Sequence, residues 1–311
     1  MKKEILFSME SPYRDTFRIW GYSFGSGEKS LAVVGALRGD EVHQQLVCAE
    51  LISNLIRMEE EGLLAPGHEI LVVPSANPFS SNIEKRFWAM DNTDINRMFP
   101  GYDLGETTQR IASGLFEAIK DYKYGVQMAS SYMPGDFIPH VRLMKTGLED
   151  VETAKLFGMP YVALRDPKPF DTTTLNYNWQ IWDTKAYSLY GGQNDDVTTE
   201  STRSSVSTIL KFIYKIGLAS IASDASKPSY DSVVIEESSL ITLKAPAAGI
   251  FQSLVGAGCE VAEGQVMARI VDPYEGSTLA ELKSPCHGVV FYVLNKPLAL
   301  LNAPLFRIRQ F

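Results

Sequence analysis

The stretch V-V-G-A-L-R-G-D-E-V-H-Q-Q-L-V-C-A-E, residues 33–50, decides the fold of this chain. Its first half is an apolar run, its middle is a tight turn that holds Gly39, Asp40 and Glu41, and its second half has apolar residues at helical spacing. These patterns predict a buried strand, a turn and an amphipathic helix. In an α/β sheet such a turn lies at the carboxyl end of a strand, where ligands bind. We therefore expect a functional site around this turn.

The alternation of strands and helices continues through residues 1–225. Apolar or alternating runs predict strands over residues 16–27, 30–37, 69–74, 124–128, 139–144, 161–164 and 186–190. Helical spacing predicts helices from Asp40 to the acidic residues 59–61, and over residues 107–122, 149–157 and 198–216. Residues 79–102 read as a long loop, and such loops are often functional. We predict an α/β domain, residues 1–225, with a mixed sheet and helices on both faces.

Residues 226–311 have a different texture. Residues 219–231 are small and polar and suggest a linker, and from residue 232 short apolar runs are separated by Gly, Pro and Asn. This predicts an all-β domain of about 80 residues, a usual size for a small domain. Residues 244–251, K-A-P-A-A-G-I-F, recur as K-S-P-C-H-G-V-V-F at residues 283–291. We expect two similar hairpins related by a pseudo-twofold axis.

The composition argues against several classes of function. Lysine and arginine total 29 against 37 acidic residues, which gives a net charge of −8 and argues against a nucleic-acid surface. The apolar run after Met1 is too short for a secretion signal, and no run reaches the roughly 18 apolar residues of a membrane helix. The three cysteines are widely spaced and suggest neither a disulfide framework nor a Cys-rich metal site. We expect a cytoplasmic protein without a nucleic-acid or membrane partner.

Several short motifs occur in a recognisable order along the chain. Gly39-Asp40-Glu41 follows a buried strand, Asn77-Pro78 follows the next strand, and then come Arg86 and D-I-N-R-M-F-P-G at residues 94–101. In this order the chain resembles the succinylglutamate desuccinylase and aspartoacylase family, relatives of the zinc carboxypeptidases, over nearly its whole length. The β domain, with G-x-x-V-x-x-G-Q at residues 258–265, is similar to that family's C-terminal barrel-sandwich domain, which is lipoyl-like. I-V-D-P at residues 270–273 stands where a lipoyl carrier has its attachment lysine, so we expect no attached cofactor.

The resemblance implies a zinc-dependent mechanism. Members of the family hold one zinc ion through a His-x-x-Glu motif and a second His from a later strand, and a Glu from another strand activates the metal-bound water. Three protein ligands plus water make the usual open zinc site. In this sequence the four positions hold Arg38, Glu41, Ala129 and Tyr190. Glu41 is therefore the only metal ligand retained, and Tyr190 replaces the expected catalytic Glu.

The residues at these positions do not suit a zinc ion. A protonated arginine repels a metal cation, and Ala129 has no lone pair to offer. We expect Arg38 and Glu41 to form a direct ion pair in part of the volume that the metal would fill. An unperturbed tyrosine pKa of about 10 makes Tyr190 a poor base at neutral pH. Zinc is the cofactor that the resemblance implies, but we assign none to this set of residues.

The residues that would hold a substrate are retained. Arg86, Asn96 and Arg97 match family positions that resemble a carbonyl-polarising arginine and an Asn-Arg pair that grips a substrate carboxylate. Guanidinium groups suit carboxylates because two parallel hydrogen bonds form at once. The alternative for Arg97 is a structural ion pair with Asp94 that orders its own loop. Within the long motif we favour the ligand role.

Two histidines need separate consideration. His140, in I-P-H-V-R-L, lies in a strand near the expected site and is a candidate substitute metal ligand, although a lone histidine is more often simply hydrogen-bonded. His43 follows Glu41 by two residues, so on a helix it points to a different side, and a surface or core-rim position is expected. The sequence contains no H-E-x-x-H, G-x-S-x-G, phosphate-binding glycine loop or C-x-x-C.

Three hypotheses follow from these residues. In the first, the chain is a pseudoenzyme candidate that binds a small carboxylate, such as an N-acyl amino acid, with a degenerate zinc site and little or no hydrolysis. In the second, it is a metal-dependent amide hydrolase with rearranged ligands, such as Glu41 with His140 or His43 and Asp40. In the third, it is a structural or assembly protein whose β domain contacts neighbouring subunits, and for that reason we also consider a homo-oligomer.

Overall fold

The computed structural model describes residues 1–11, 15–191, 197–220 and 230–311. The chain divides into two compact units. The first contains the described residues of Met1–Ser130, His140–Gly191 and Val197–Val234, and the second contains Ser131–Pro139 and Ile235–Phe311. The predicted domain boundary between residues 225 and 226, and most of the predicted linker, lie outside the described residues.

Strands and helices alternate through much of the first unit, whereas the second unit consists mainly of strands. The strands are β1 (Lys2–Met9), β2 (Phe17–Gly25), β3 (Gly27–Ala36), β4 (Gly67–Ser75), β5 (Tyr124–Ala129), β6 (Asp136–Phe137), β7 (His140–Met144), β8 (Tyr161–Arg165), β9 (Lys185–Tyr190), β10 (Val233–Glu236), β11 (Ile241–Lys244), β12 (Gly249–Ser253), β13 (Glu260–Val261), β14 (Val266–Val271), β15 (Thr278–Lys283), β16 (Gly288–Val293), β17 (Leu298–Ala299) and β18 (Pro304–Gln310). The helices are α1 (Val42–Glu60), α2 (Pro78–Ser81), α3 (Thr107–Ile119), α4 (Val151–Lys155), α5 (Leu175–Ile181) and α6 (Thr199–Lys215).

The described residues form a nine-stranded mixed sheet in the order β1-β2-β4-β3-β5-β9-β7-β8-β10. The central strands β4, β3, β5 and β9 run parallel, whereas β7 pairs antiparallel with β9. On one face Val33, Val126 and Leu189 pack with α1 and α6, and on the other Ala32 and Val34 pack with α3 and α5. Burial on both faces explains the nearly continuous apolar run of β3. The predicted mixed sheet with helices on both faces is confirmed.

Helix α5 was not predicted from the sequence. Most of its residues, in the sequence L-N-Y-N-W-Q-I, are weak helix formers because asparagine and aromatic side chains favour other conformations. The side chain of Thr174 caps the helix by accepting a hydrogen bond from the Tyr177 amide, and Trp179 is fully buried against the sheet. Tertiary packing therefore stabilises a helix that local propensity does not favour.

The second unit is built from two antiparallel sheets. Strands β11, β18, β16 and β13, with β6 paired to β16, form one sheet, and β15, β14, β12 and β17 form the other. The all-β prediction is confirmed, although no barrel closes among the described residues. The two repeated segments are not hairpins as predicted, because β11 and β12 lie in different sheets, as do β15 and β16. Each repeat instead connects one sheet to the other.

No helix in the described part of the chain is both long enough and apolar enough to cross a membrane.

Candidate functional site

The candidate site lies at the carboxyl ends of the parallel strands β3, β5 and β9. The turn after β3 carries Arg38 and Glu41, as the sequence predicts. At the ends of β5 and β9, Ala129 and Tyr190 lie directly opposite each other in the sheet, and His140 of β7 pairs with Tyr190 from the other side. The structure therefore aligns these three positions in one row across the sheet.

Close packing at Gly39 fixes the shape of the turn. The Gly39 amide donates to the Arg86 carbonyl at 3.0 Å, and a Cβ atom at position 39 would clash with the Lys85 carbonyl and with Ser80. Only glycine permits this approach. The contact holds the loop that carries Arg86 against the turn that carries Arg38.

Arg38 and Glu41 form the predicted ion pair. Arg38 Nη1 lies 3.0 Å from Glu41 Oε1, and both side chains are almost completely buried. This prediction from the sequence is confirmed. The guanidinium thus contacts the carboxylate that the resemblance leads us to expect as a metal ligand.

A second carboxylate, Asp94, completes the environment of Arg38. Arg38 Nε lies 3.1 and 3.2 Å from the two Asp94 oxygens, and Nη2 lies 2.9 Å from Oδ2. The alternative that Arg97 pairs with Asp94 is wrong, because Asp94 binds Arg38 and Arg97 makes no ion pair with any described residue. We call Arg38, Glu41 and Asp94 the arginine triad.

Electrostatics keep Arg38 charged in this buried position. Burial alone would lower the pKa of Arg38, but the adjacent carboxylates of Glu41 and Asp94 outweigh that effect and raise the pKa above its usual value. A guanidinium between two carboxylates is therefore a stable cation at every physiological pH.

The residues at the expected metal position do not fit zinc. The Glu41 carboxylate already accepts hydrogen bonds from the Leu37 and Arg38 amides at 3.0 Å, from Arg38 Nη1 and from Ser130 Oγ at 2.5 Å. Ala129 supplies no donor atom. Across residues 1–11, 15–191, 197–220 and 230–311, His, Cys, Asp and Glu form no group of three or more that could hold a metal ion.

Arg86 is held at the edge of the turn. Its Nη1 donates to Asp40 Oδ2 at 2.9 Å and its Nη2 donates to Ser130 Oγ at 3.3 Å. Ser130 therefore bridges Arg86 to Glu41. About a quarter of the Arg86 side chain is exposed, so it remains accessible to a ligand.

Asn96 and Arg97 follow Asp94 in a short 3-10 helix, Ile95–Arg97. Asn96 Oδ1 accepts from the Leu175 amide at 3.0 Å, which leaves its NH2 group as a donor. Arg97 Nη1 donates to the Asn96 carbonyl at 2.8 Å, and its guanidinium lies 5.8 Å from the Phe170 ring centroid. Burial lowers the pKa of Arg97, and the more distant charge of Asp94 offsets this only in part. The Arg97 guanidinium thus has spare hydrogen-bonding capacity for an anion.

Tyr190 is packed between two side chains of β7. The His140 ring stacks on the Tyr190 ring with centroids 4.8 Å apart and an interplanar angle of 4°. The Arg142 guanidinium carbon lies 4.5 Å from the Tyr190 ring centroid. His140 therefore contacts an aromatic ring, and among the described residues it belongs to no group of three or more His, Cys, Asp and Glu that could hold a metal ion.

His43 is buried, which agrees with a core-rim rather than a surface position. Its Nε2 lies 3.3 Å from Ser201 Oγ. Burial lowers the pKa of His43, so the ring is neutral at physiological pH.

Three residues of the site were not assigned roles from the sequence. Asp94 was considered only as a partner of Arg97, and Ser130 and Arg142 were passed over. Ser130 directly follows the last residue of β5, so its position at a carboxyl strand end was an available signal. The Arg38–Asp94 and Arg142–Tyr190 contacts join residues distant in sequence, and no local pattern marks them.

Comparison with known protein families gives a match over much of the first unit. The model of the succinylglutamate desuccinylase/aspartoacylase catalytic domain matches residues 27–184. A curated relative, the N-alpha-acetyl-L-2,4-diaminobutyric acid deacetylase of Halomonas elongata, is 24% identical over 266 residues, which cover 80% of this chain and 72% of the relative.

Solved structures with the same fold cover nearly the whole chain. A succinylglutamate desuccinylase from a Silicibacter species superposes with a TM-score of 0.80 at 18% identity and covers 99% of this chain and 93% of its own. The product-bound ectoine utilization protein EutE of Ruegeria pomeroyi gives a TM-score of 0.78 at 18% identity, with 95% and 90% covered. At these identities the similarity establishes the fold.

Proposed function

This chain belongs to the succinylglutamate desuccinylase/aspartoacylase family, and we propose that it binds a small carboxylate of the N-acyl amino acid type with impaired or absent hydrolysis. The observation that carries the proposal is the arginine triad. A guanidinium that makes a hydrogen bond to Glu41 and a fork to Asp94 stands beside the position of the family's metal. Without three ligands, no zinc-activated water is available to attack an amide.

The residues that bind the ligand are Arg86, Asn96 and Arg97. The Arg97 guanidinium and the Asn96 NH2 group donate hydrogen bonds to the carboxylate of the ligand. Arg86, fixed by Asp40 and Ser130, donates to the acyl carbonyl oxygen. Tyr190 stands where the family's catalytic Glu is expected and supplies no carboxylate to act as a base.

Calorimetric titration of the purified full chain with N-acetylalanine tests the binding role. We expect Arg97→Gln to weaken binding roughly 10- to 100-fold, because a charge-assisted hydrogen bond to a carboxylate contributes about 1.5 to 3 kcal/mol. Arg269→Gln, which removes an exposed arginine of the second unit, is the matched control and leaves the affinity unchanged. Equal affinities for the native chain and Arg97→Gln would contradict the proposal.

Release of free amine from N-acetyl amino acids, with and without added zinc, tests the absence of hydrolysis. The Halomonas elongata deacetylase, assayed on the substrate in its name, is the positive control. We expect far less than one zinc per purified chain by mass spectrometry and no zinc-dependent release of amine. One tightly held zinc per chain would overturn the proposal.

The alternative is an active metal-dependent deacylase with rearranged ligands. It is favoured by the deacetylase name of the curated relative and by the presence of Arg86, Asn96 and Arg97 together. It requires His140 to leave its stack on Tyr190 and the triad to open. If added zinc or manganese produces cleavage, and if His140→Gln abolishes that cleavage, this alternative is favoured.

A further inference from the structure

The chain leaves the first unit and returns to it between two residues of the candidate site. Ser130, which directly follows β5, is succeeded by residues 131–139, and these belong to the second unit. The chain re-enters the first unit at His140, the first residue of β7. We call residues 131–139 the connecting segment. Ser130 donates a hydrogen bond to Glu41, and His140 stacks on Tyr190, so site residues flank this segment on both sides.

Main-chain hydrogen bonds hold the connecting segment within the second unit. Its strand β6 pairs antiparallel with β16, where Phe137 lies opposite Tyr292. The amide of Ile138 also donates to the Phe291 carbonyl at 3.0 Å. Ile138 precedes His140 by two residues, which span at most about 7 Å. The position of Ile138 therefore restricts the position that His140 can take.

The Tyr292 side chain holds the first half of the connecting segment. Its hydroxyl donates to the Pro134 carbonyl at 2.8 Å, and the residue is 4% exposed. Burial raises the pKa of Tyr292 to about 12, so the hydroxyl keeps its proton and can donate at neutral pH. Gly135 packs so closely on the ring that a Cβ atom there would lie 2.4 Å from a ring carbon. One side chain thus fixes two consecutive residues of the segment.

The contacts of Ser130 leave it little freedom to move. Its hydroxyl lies 2.5 Å from Glu41 Oε1 and 3.3 Å from Arg86 Nη2. The second distance is already slightly beyond the usual range for an N–H donor and an oxygen acceptor. A small shift of Ser130 would therefore break this bond and remove one of the contacts that hold Arg86 in place.

We propose that Tyr292 is a positioning residue of the candidate site and acts through the connecting segment on Ser130 and His140. This role goes beyond the proposed function, because it concerns the arrangement of the site, and only its effect on affinity rests on that function. A ligand that needs Arg86 in place favours the anchored segment, so loss of the anchor lowers its affinity. The effect is limited to the value of one neutral hydrogen bond, roughly 3- to 10-fold.

Two variants of the full chain separate positioning from a general effect on the second unit. Tyr292→Phe removes the hydroxyl and keeps the ring. Its matched control is Ser284→Ala, which also removes a buried hydroxyl that donates to a main-chain carbonyl in the second unit, that of Cys286 at 2.7 Å. Both variants lose the same kind of bond, but only Tyr292→Phe alters a contact of the connecting segment.

Hydrogen–deuterium exchange without ligand, followed by mass spectrometry, is the first measurement. In Tyr292→Phe we expect the amides at the end of β5 and the start of β7 to exchange roughly 3- to 10-fold faster than in the native chain. Ser284→Ala should leave them unchanged. Unchanged exchange in these strands of Tyr292→Phe would overturn the inference, even if exchange in β16 increases. An equal acceleration in β3 would indicate a general loss of stability and would also overturn it.

The affinity for N-acetylalanine, measured by calorimetry, is the second measurement. Tyr292→Phe should weaken binding roughly 3- to 10-fold, whereas Ser284→Ala should leave the affinity unchanged. Equal affinities of the native chain and Tyr292→Phe would overturn the inference and leave the proposed function standing. If N-acetylalanine does not bind the native chain, the proposed function fails, and the exchange measurement alone decides the role of Tyr292.

Gly135→Ala is an independent variant that decides if Tyr292→Phe does not fold. The added methyl group would meet the Tyr292 ring, so the connecting segment must move away from it, and we expect the same exchange pattern. Gly256→Ala is the matched control, because nothing lies within 4 Å of a Cβ atom at that position. Native exchange rates in β5 and β7 of Gly135→Ala would refute the inference.

Discussion

Replacement of Arg38 by glutamine is the sharpest test of the arginine triad. The Arg38 and Glu41 side chains are 6% and 3% exposed, and that of Asp94 is 10% exposed. Without the guanidinium, Glu41 keeps two backbone amides and the Ser130 hydroxyl, while Asp94 keeps only the Asn96 amide among the described groups. Removal of one partner from a buried ion pair costs about 3 to 5 kcal/mol, and we expect a loss in this range.

Urea denaturation followed by tryptophan fluorescence measures this loss. All four tryptophans lie in the first unit, so their emission reports the unit that contains the triad: Trp20, Trp88, Trp179 and Trp182. With a slope of about 3 kcal/mol per molar urea, the midpoint should fall by roughly 1 to 1.7 M. Asp94→Asn in the Arg38→Gln background should recover part of the lost stability, because it removes one buried charge that has no counter-ion.

Lys29→Gln is the control for the loss of an exposed ion pair. Lys29 and Asp121 are 44% and 60% exposed, so the expected cost is within about 1 kcal/mol. If Arg38→Gln costs no more than Lys29→Gln, the guanidinium does not hold the two carboxylates together, and the main support for a degenerate zinc site is lost.

Three further predictions concern other parts of the chain. Burial lowers the pKa of His43 below its usual 6.5, so the stability that its neutral form contributes is complete above that pH and is lost as the pH falls. Between about pH 7.5 and about pH 5.5, the free energy of unfolding should therefore decrease less in His43→Gln than in the native chain. Urea titrations at both pH values will measure the difference. Ser130→Ala removes the hydroxyl that bridges Arg86 and Glu41 and should destabilise the first unit by about 1 to 2 kcal/mol. Unchanged stability in Ser130→Thr would show that a hydroxyl at this position is enough to form the bridge. Burial raises the pKa of Cys48 to about 12, so iodoacetamide at about pH 8 should label the exposed Cys259 and not Cys48. Mass spectrometry of labelled peptides, with and without denaturant, will distinguish the two cysteines.

Local patterns in the sequence predicted the features that depend on neighbouring residues. The strand, turn and helix over residues 33–50 could be predicted because an apolar run and a helical spacing meet at Gly39. The Arg38–Glu41 ion pair could be predicted because the two residues are three positions apart and share one turn. In such cases chain connectivity alone brings the groups together.

Features that depend on tertiary pairing could not be predicted in this way. Asp94 reaches Arg38 across 56 positions of the chain, and Arg142 reaches Tyr190 only because β7 pairs antiparallel with β9. The repeat in the second unit could be recognised, but strand spacing does not say whether two neighbouring strands pair with each other or join separate sheets. Helix α5 was missed because burial of Trp179 and the Thr174 cap stabilise it, and its own propensity does not.

The arginine triad also changes what the presence of Glu41 means. In a chain with an arginine at position 38, the Glu41 carboxylate helps to neutralise a buried cation. A search that scores catalytic competence by the number of matching metal-ligand positions would count Glu41 in favour of activity, although in this chain its carboxylate pairs with Arg38. The triad also makes positions 38, 41 and 94 interdependent. A histidine introduced at position 38 alone would leave Asp94 without its cation, so a metal site at this turn would require coordinated changes at several positions.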